Sequence, residues 1–292
     1  MEIRKLYING EWVDSVHDEW IEIENPATHE IIAKVPRGNK EDVDKAVKAA
    51  RAAFETWQYT PLEERVALMK KVVEGLESRR QELIETITKE LGSPYKVSAE
   101  VHTDPFILEA KHYIQTASEF PYEQRRLTSV VRREPVGVVG GLTPWNFPLE
   151  QIEKKVVPAL LAGNCVVLKP SQFTPLTAYI LAEEIDKAGY PAGVFNLVTG
   201  RGGEVGNALA THEDVDMISF TGSTGAGREV ARMALGNIKK IALELGGKSA
   251  AILLDGGDWE NGIHAVLETV VPNAGQTCNA LTRLLVPKNG LA

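Results

Sequence analysis

Two short segments carry side chains suited to covalent chemistry. Glu244-Leu245-Gly246-Gly247-Lys248 sets a carboxylate beside a glycine pair, where it could take a proton from water. Asn273-Ala274-Gly275-Gln276-Thr277-Cys278 sets a thiol in a small polar loop, where it could attack an electrophile. The two side chains are 34 positions apart, so only tertiary structure can bring them to one substrate. Each also has a plainer reading. A lone cysteine is usually a small buried hydrophobe, and a glutamate between two leucines at a strand end is commonly ion-paired. Cys165, beside Val166-Val167-Leu168, reads as core. A third segment, Pro144-Trp145-Asn146-Phe147-Pro148, holds an amide between two prolines that restrain its backbone. A pre-aimed amide donor, with the backbone N–H of Cys278, suits an oxyanion; a turn asparagine is the alternative.

The elements that must position these groups follow from pattern. From Pro135 onward, strands at 136–140, 165–168, 195–198, 217–220 and 240–243 alternate with helices at 151–161, 174–188, 203–210 and 225–234. That alternation predicts a doubly wound parallel α/β sheet, which binds ligands at the carboxyl ends of its strands. The rule selects five turns, 141–146, 169–172, 199–203, 221–227 and 244–248, all polar or glycine-rich. Gly222-Ser223-Thr224-Gly225-Ala226-Gly227 opens a helix after a strand, a place where backbone N–H groups meet a pyrophosphate, although the full Gly-x-Gly-x-x-Gly spacing is absent. Lys169-Pro170-Ser171-Gln172 is placed to hold a ribose.

The first 122 residues read as hairpins and helices. Asn9-Gly10 between Leu6-Tyr7-Ile8 and Glu11-Trp12-Val13 signals a two-residue hairpin. Asn25-Pro26-Ala27-Thr28 turns a second extended pair. Helices follow, one capped by Asn39, one opened by a capping box at Thr60-Pro61-Leu62-Glu63, one running from 79 to 91 and ending at Gly92, and one broken near Pro105 that reaches Phe120. Residues 123–134 are basic and β-prone, and composition alone makes them a solvated loop. Residues 244–292 begin a second α/β unit with a strand at 250–254, a helix at 262–270 and a strand at 284–286, too little to bury both faces, so this catalytic part is expected to be incomplete.

Composition bounds the rest. The chain has 292 residues, a formal net charge of −8 and 43% hydrophobic residues, which favours a globular protein with small-molecule partners over nucleic-acid or membrane binding. Two cysteines and no apolar leader or membrane span point to a reducing compartment, with the cytoplasm as the expectation. The histidines, His102, His112 and His212 among them, show no metal-ligand spacing and are expected to be satisfied surface or core residues; no metal is expected.

From Asn9 to Pro287 the chain resembles the NAD(P)-dependent aldehyde dehydrogenases. The resemblance rests on Glu244-Leu245-Gly246-Gly247-Lys248, on Gly275-Gln276-Thr277-Cys278 with Thr282-Arg283, and on the Pro-Trp-Asn-Phe-Pro string. It implies oxidation of an aldehyde to a carboxylic acid, with Cys278 as nucleophile, Glu244 as the base that activates water and Asn146 as oxyanion donor. Work near neutral pH would ask partial burial of Glu244. It implies NAD or NADP, bound through Thr143, Trp145, Lys169, Ser171, Gln172, Gly202, Gly206, Thr221, Gly222, Ser223 and Gly246. Residues 135–243 become the dinucleotide-binding domain and 123–134 an arm that pairs with a second subunit in a dimer or tetramer. NAD-preferring members often carry glutamate where this chain has Gln172; losing that charge predicts tolerance of, or preference for, NADP. The family's later glutamate-phenylalanine motif is absent from these residues, so the 292-residue chain alone is expected to be poorly active. A relative that transfers the acyl group to coenzyme A, and a binding protein without turnover, remain as alternatives.

Overall fold

The structure, a computed structural model, describes residues 2–288. The N-terminal strands are β1 (Glu2–Ile3), β2 (Leu6–Ile8), β3 (Glu11–Val13), β4 (Trp20–Glu24) and β5 (Ile31–Pro36). Asn9 and Gly10 adopt φ values of 55° and 80°, which the two-residue turn between β2 and β3 needs. Five helices follow: α1 (Lys40–Trp57), α2 (Leu62–Ser78), α3 (Arg80–Leu91), α4 (Tyr95–Glu100) and α5 (Asp104–Glu119). Asn39 caps α1 by accepting from the Glu41 and Asp42 N–H groups, and Gly92 ends α3 in the left-handed conformation. The expected capping box at Thr60 does not form. Pro61 itself is the cap residue of α2, and the Thr60 N–H is engaged with the Trp57 carbonyl at the end of α1.

Residues 123–134, a loop by composition, form an exposed antiparallel ribbon of β6 (Glu123–Arg126) and β7 (Ser129–Arg132). The alternating part comprises β8 (Val138–Leu142), α6 (Pro148–Leu161), β9 (Cys165–Lys169), α7 (Leu176–Ala188), β10 (Phe195–Leu197), a π-helical turn at Gly202–Gly206 leading into α8 (Asn207–Thr211), β11 (Met217–Gly222), α9 (Thr224–Ala234) and β12 (Lys240–Leu245). Last come β13 (Ala250–Ile252), α10 (Trp259–Val270) and β14 (Arg283–Leu285).

The strands of the main sheet run in the order β12-β11-β8-β9-β10-β2-β3. The first five are parallel, and the hairpin adds antiparallel through Leu197 and Tyr7. The chain therefore starts in the middle at β8, winds one way to β10, then returns to β11 on the other side. The switch point falls between β8 and β11, where neighbouring connections diverge and leave a crevice. Helices cover both faces, with α6 and α7 backed by α2 on one and α8 linking α1 to α9 on the other. Val138, Val166, Leu168 and Ile218 are wholly or almost wholly buried between these layers. Each such side chain contributes about 1.5–3 kcal/mol. Beyond the sheet, β13 and β14 pair, among the described residues, only with each other, in parallel.

Candidate active site

The carboxyl ends of the central strands open onto two cavities. The larger, about 440 Å³, lies at the switch point and is lined by Leu142 and Thr143 after β8, Lys169 at the end of β9, Gly202, Gly203 and Gly206 of the π-helical turn, and Phe220, Ala226 and Glu229 from β11 and α9. The Thr143 hydroxyl is buried without a hydrogen-bond partner among the described residues. The Lys169 ammonium donates to the Pro170 carbonyl at 2.7 Å, and burial lowers its pKa to about 8. Ser223 caps α9 by accepting from the Ala226 N–H at 3.2 Å. Gly227 allows α9 to lie close on the sheet, since a Cβ there would sit 2.6 Å from the Leu245 side chain.

The second cavity, about 360 Å³, is lined by Pro144, Trp145 and Asn146, by Thr221, Gly222 and Ser223, by Leu245 to Lys248, and by Gly275 to Cys278. Four distant segments thus meet at one place. Cys278 is a free, exposed thiol, whereas Cys165 is buried in the sheet, where desolvation pushes its pKa up to about 12. The cysteine loop is fastened to the asparagine turn by reciprocal amide bonds. Asn146 Nδ2 donates to the Gln276 carbonyl at 2.8 Å, and Asn273 Nδ2 donates to the Asn146 carbonyl at 2.8 Å. One Asn146 N–H is used in this way, and a primary amide has two. These bonds hold a backbone that is costly to form. Asn273 and Ala274 both have φ near 55°, at about 1–2 kcal/mol for each non-glycine residue. Gly247 N–H donates to the Cys278 carbonyl at 3.1 Å, tying the glycine pair after β12 to the same loop.

Glu244 is placed differently. It is the penultimate residue of β12, in register with Thr221 of β11, does not line the cysteine cavity, and is exposed rather than partly buried. The expectation of burial fails because β12 is the outermost strand of the sheet, and among the described residues no further strand pairs with its outer edge. Its charge is felt by Lys155 of α6. The Lys155 ammonium is buried and donates to the Thr221 hydroxyl at 2.7 Å. Burial lowers its pKa to about 8, against a smaller opposing pull from Glu244. The signal was its position: Ile152, Lys155 and Val156 share one face of α6, so a lysine sits where the helix is otherwise apolar.

Most proposed cofactor residues line one cavity or the other: Thr143, Lys169, Gly202 and Gly206 the larger, and Trp145, Thr221, Gly222, Ser223 and Gly246 the smaller. Two do not. Ser171 accepts from the Phe173 N–H at 3.2 Å within its own turn. Gln172 lines a separate cavity with Glu22, Glu24, Glu90 and Trp145. Among the described residues no group of three His, Cys, Asp or Glu side chains converges as a metal site.

Comparison with known proteins agrees with this architecture. Residues 12–291 match the model of the aldehyde dehydrogenase family. A Staphylococcus aureus (strain MSSA476) protein that bears the provisional name of an aldehyde dehydrogenase is 47% identical over 287 residues, covering 97% of this chain and 60% of the relative. The crystal structure of an aldehyde dehydrogenase from Bartonella henselae superposes with a TM-score of 0.95 at 38% identity, covering 99% of this chain and 61% of that one. Aldehyde dehydrogenase C of Pseudomonas syringae, a cysteine-to-alanine mutant in complex with NAD+ and octanal, gives a TM-score of 0.94 at 41% identity, with 99% and 59% covered. The chain spans about 60% of the length of the relatives it matches.

Proposed function

This chain belongs to the aldehyde dehydrogenase family, and we propose that it supplies the nucleophile, the oxyanion donor and the dinucleotide crevice for oxidation of an aldehyde to a carboxylic acid with NAD or NADP. The observation that carries the reading is the meeting of an exposed Cys278 with Asn146 and the Thr221–Ser223 turn around one cavity at the end of a parallel sheet.

Cys278, as thiolate, forms a C–S bond to the aldehyde carbon. The carbonyl oxygen takes up the electron pair and is met by the second N–H of Asn146. Covalent attack comes first because hydride can leave only from a tetrahedral carbon that pushes its electron pair outward. The bound dinucleotide supplies the acceptor for that hydride. Loss of the C–H pair leaves a thioester on Cys278. Glu244 takes a proton from water, the hydroxide adds to the thioester carbon, and the C–S bond breaks to release the acid and restore the thiolate. The exposure of Glu244 gives it direct access to water, and the neighbouring Lys155 ammonium offers a positive charge beside it.

The residues present fit a dinucleotide. The larger cavity holds a buried Thr143 hydroxyl without a hydrogen-bond partner among the described residues and a lysine with donors to spare. Gly202, Gly203, Gly225 and Gly246 have open space where a side chain would project, so a ligand can approach the backbone there. The helix that begins at Thr224 directs its first N–H groups out of its N-terminus, which suits a pyrophosphate. The basic ribbon of β6 and β7, exposed at every position but Gln124, is offered as the surface that pairs with a second copy. Size-exclusion chromatography of a chain lacking residues 124–132 would test it.

Intact-mass analysis after mixing the protein with an aldehyde and NAD or NADP tests the reading. An acyl adduct on Cys278 is expected, and it disappears completely in Cys278→Ala. Adduct that persists in the variant, or none in the wild type, overturns it. Coenzyme A that clears the adduct faster than water does would point to acyl transfer instead.

A further inference from the structure

One wall of the larger cavity is built mainly of glycine. Gly202, Gly203 and Gly206 of the π-helical turn line it, and at Gly202 and Gly203 a side chain would project into open space. Such a wall suits a ligand that must meet the backbone. Its weakness is that glycine loses more conformational freedom on ordering than any other residue, and π-helical turns are themselves uncommon. Two of the five residues in the turn carry side chains that could hold it. Val205 is wholly buried. Glu204 is held by Arg37.

Arg37 directly follows β5, far from Glu204 in the chain. Its guanidinium grips the carboxylate as a fork, with Nε donating to Oε2 at 3.0 Å and Nη2 donating to Oε1. The remaining nitrogen, Nη1, donates to Glu19 Oε2 at 2.6 Å and so fixes the plane of the fork. The backbone beside Arg37 is tied to the same place. Gly38 N–H donates to the Thr199 carbonyl at 3.0 Å, and the Thr199 hydroxyl donates to the Pro36 carbonyl at 2.7 Å. A Cβ at Gly38 would lie 2.4 Å from the Thr199 carbonyl oxygen, so glycine permits that approach. Residues 36–38 therefore lie against the start of the glycine segment, and the fork extends their hold to its middle. The two side chains are 27% and 39% exposed, and a pair so exposed adds little to the stability of a whole fold. Its value lies in where it acts. Neither Arg37 nor Glu204 lines the cavity, yet Glu204 directly follows Gly203, which does.

We propose that Arg37 is a positioning residue for the dinucleotide, acting through Glu204 to hold the turn Gly202–Gly206 in the form that leaves its backbone open to the ligand. The inference rests on the dinucleotide reading of this cavity. With the fork in place the glycines are ordered before the ligand arrives, and binding does not carry the cost of ordering them. Without it the turn samples other backbone forms, and each binding event must select the open one. Cys278 lines the other cavity, so its own reactivity does not depend on this contact.

Arg37→Gln and Glu204→Gln each remove one half of the fork, and the double variant removes both. In the full chain, calorimetric titration with NAD and with NADP is expected to show the better ligand binding about fivefold more weakly in each single variant. The double variant should bind about as weakly as either single, because all three lose the same contact. Amide hydrogen exchange in peptides covering 199–208 should rise about fivefold in all three, with β8 and β9 unchanged. Acetylation of Cys278 by p-nitrophenyl acetate, which needs no dinucleotide, should stay within about twofold of wild type. Arg80→Gln is the control, since Arg80 holds Asp104 in a similar fork, at 2.6 and 2.7 Å, and neither residue lines the cavity. It should alter neither dinucleotide binding nor exchange at 199–208. Binding within about twofold of wild type in both single variants, losses that multiply in the double variant, or an equal loss in Arg80→Gln overturns the inference. A wild-type protein that binds neither dinucleotide sinks the cofactor reading instead, and exchange at 199–208 then decides alone whether Arg37 holds the turn.

Discussion

Helices α7 and α10 are similar in length, with 13 and 12 residues, and both carry apolar side chains at helical spacing. Yet α7 buries ten residues and α10 none. Strands β8, β9 and β10 are buried at every position, while β14 is exposed at every position. Burial is thus decided by what lies opposite an element more than by its own pattern. In the first region seven strands and two helical layers enclose each other. In the second, two paired strands and one helix leave Ile252, Leu254, Leu267 and Val271 facing solvent, Leu254 at 71% exposure. The comparison matters for chemistry because the site straddles the boundary. The cofactor turns, Asn146 and Lys155 belong to the packed region, and Cys278 belongs to the open one. Polar links hold the Cys278 loop in place: the amide clasp between Asn146, Asn273 and Gln276, the Gly247–Cys278 bond, and the Arg283 guanidinium on the Lys248 carbonyl at 2.7 Å.

Asn146→Ala should show the coupling across that boundary most strongly. It removes the proposed oxyanion donor and one half of the clasp together, and p-nitrophenyl acetate should acetylate Cys278 about 10²–10³-fold more slowly. A loss below about threefold would mean that the packed region contributes no transition-state donor. Core truncations then test the contrast in stability. Leu168→Ala, in a fully buried strand, is expected to cost about 2–5 kcal/mol in urea unfolding, and Leu267→Ala, half exposed on α10, less than about 0.5 kcal/mol. Similar costs for both would show that α10 packs far better than its exposure indicates.

A smaller effect separates the regions by pH. Glu153 of α6 is buried with neither carboxylate oxygen partnered among the described residues, and desolvation raises its pKa from 4.5 to about 9. The native chain therefore keeps a proton that the unfolded chain releases, and stability falls as pH rises through that window. Glu90, raised to about 7 by burial despite accepting from the Leu176 and Thr177 N–H groups, adds to the same slope. Urea midpoints measured between pH 5 and 8 should drop for the wild type and drop less for Glu153→Gln, which removes one share and leaves that of Glu90. An identical slope in the variant would mean that Glu153 is ionised in the folded chain. The smallest change is expected at Gln172. Since it does not line the cavity of Lys169, Gln172→Glu should alter NADP affinity by less than about threefold in calorimetric titration. A tenfold loss would bring that side chain back to the ribose.

Much of the framework was legible in the chain. Strand and helix alternation after Pro135 locates the parallel sheet, because strands buried on both faces must be continuous apolar runs and their crossovers must be helical. The Asn9-Gly10 hairpin and the caps at Asn39 and Gly92 were legible for a similar reason, since each depends on the backbone preferences of one or two residues. Thr60 was misread because a neighbouring helix end competed for its backbone, and at 123–134 the β-prone residues form a ribbon where composition alone favoured a loop, because basic composition says little about pairing. At the site, the motifs named Cys278, Asn146 and Glu244, yet they said nothing of Lys155, whose significance lies in burial. His102, expected to be satisfied, is instead buried with neither ring nitrogen hydrogen-bonded among the described residues.

The sequence by itself determined which residue types could react and which turns would carry them, because intrinsic chemistry and backbone preference are local properties. Only the tertiary structure decided their surroundings. It put Cys278 in the open, left Glu244 exposed on an outermost strand, set Gln172 on a cavity separate from that of Lys169, and buried two nitrogenous side chains, Lys155 and His102. Exposure, desolvation and hydrogen-bond direction depend on segments far apart in the chain meeting in space, and no local pattern encodes where they meet.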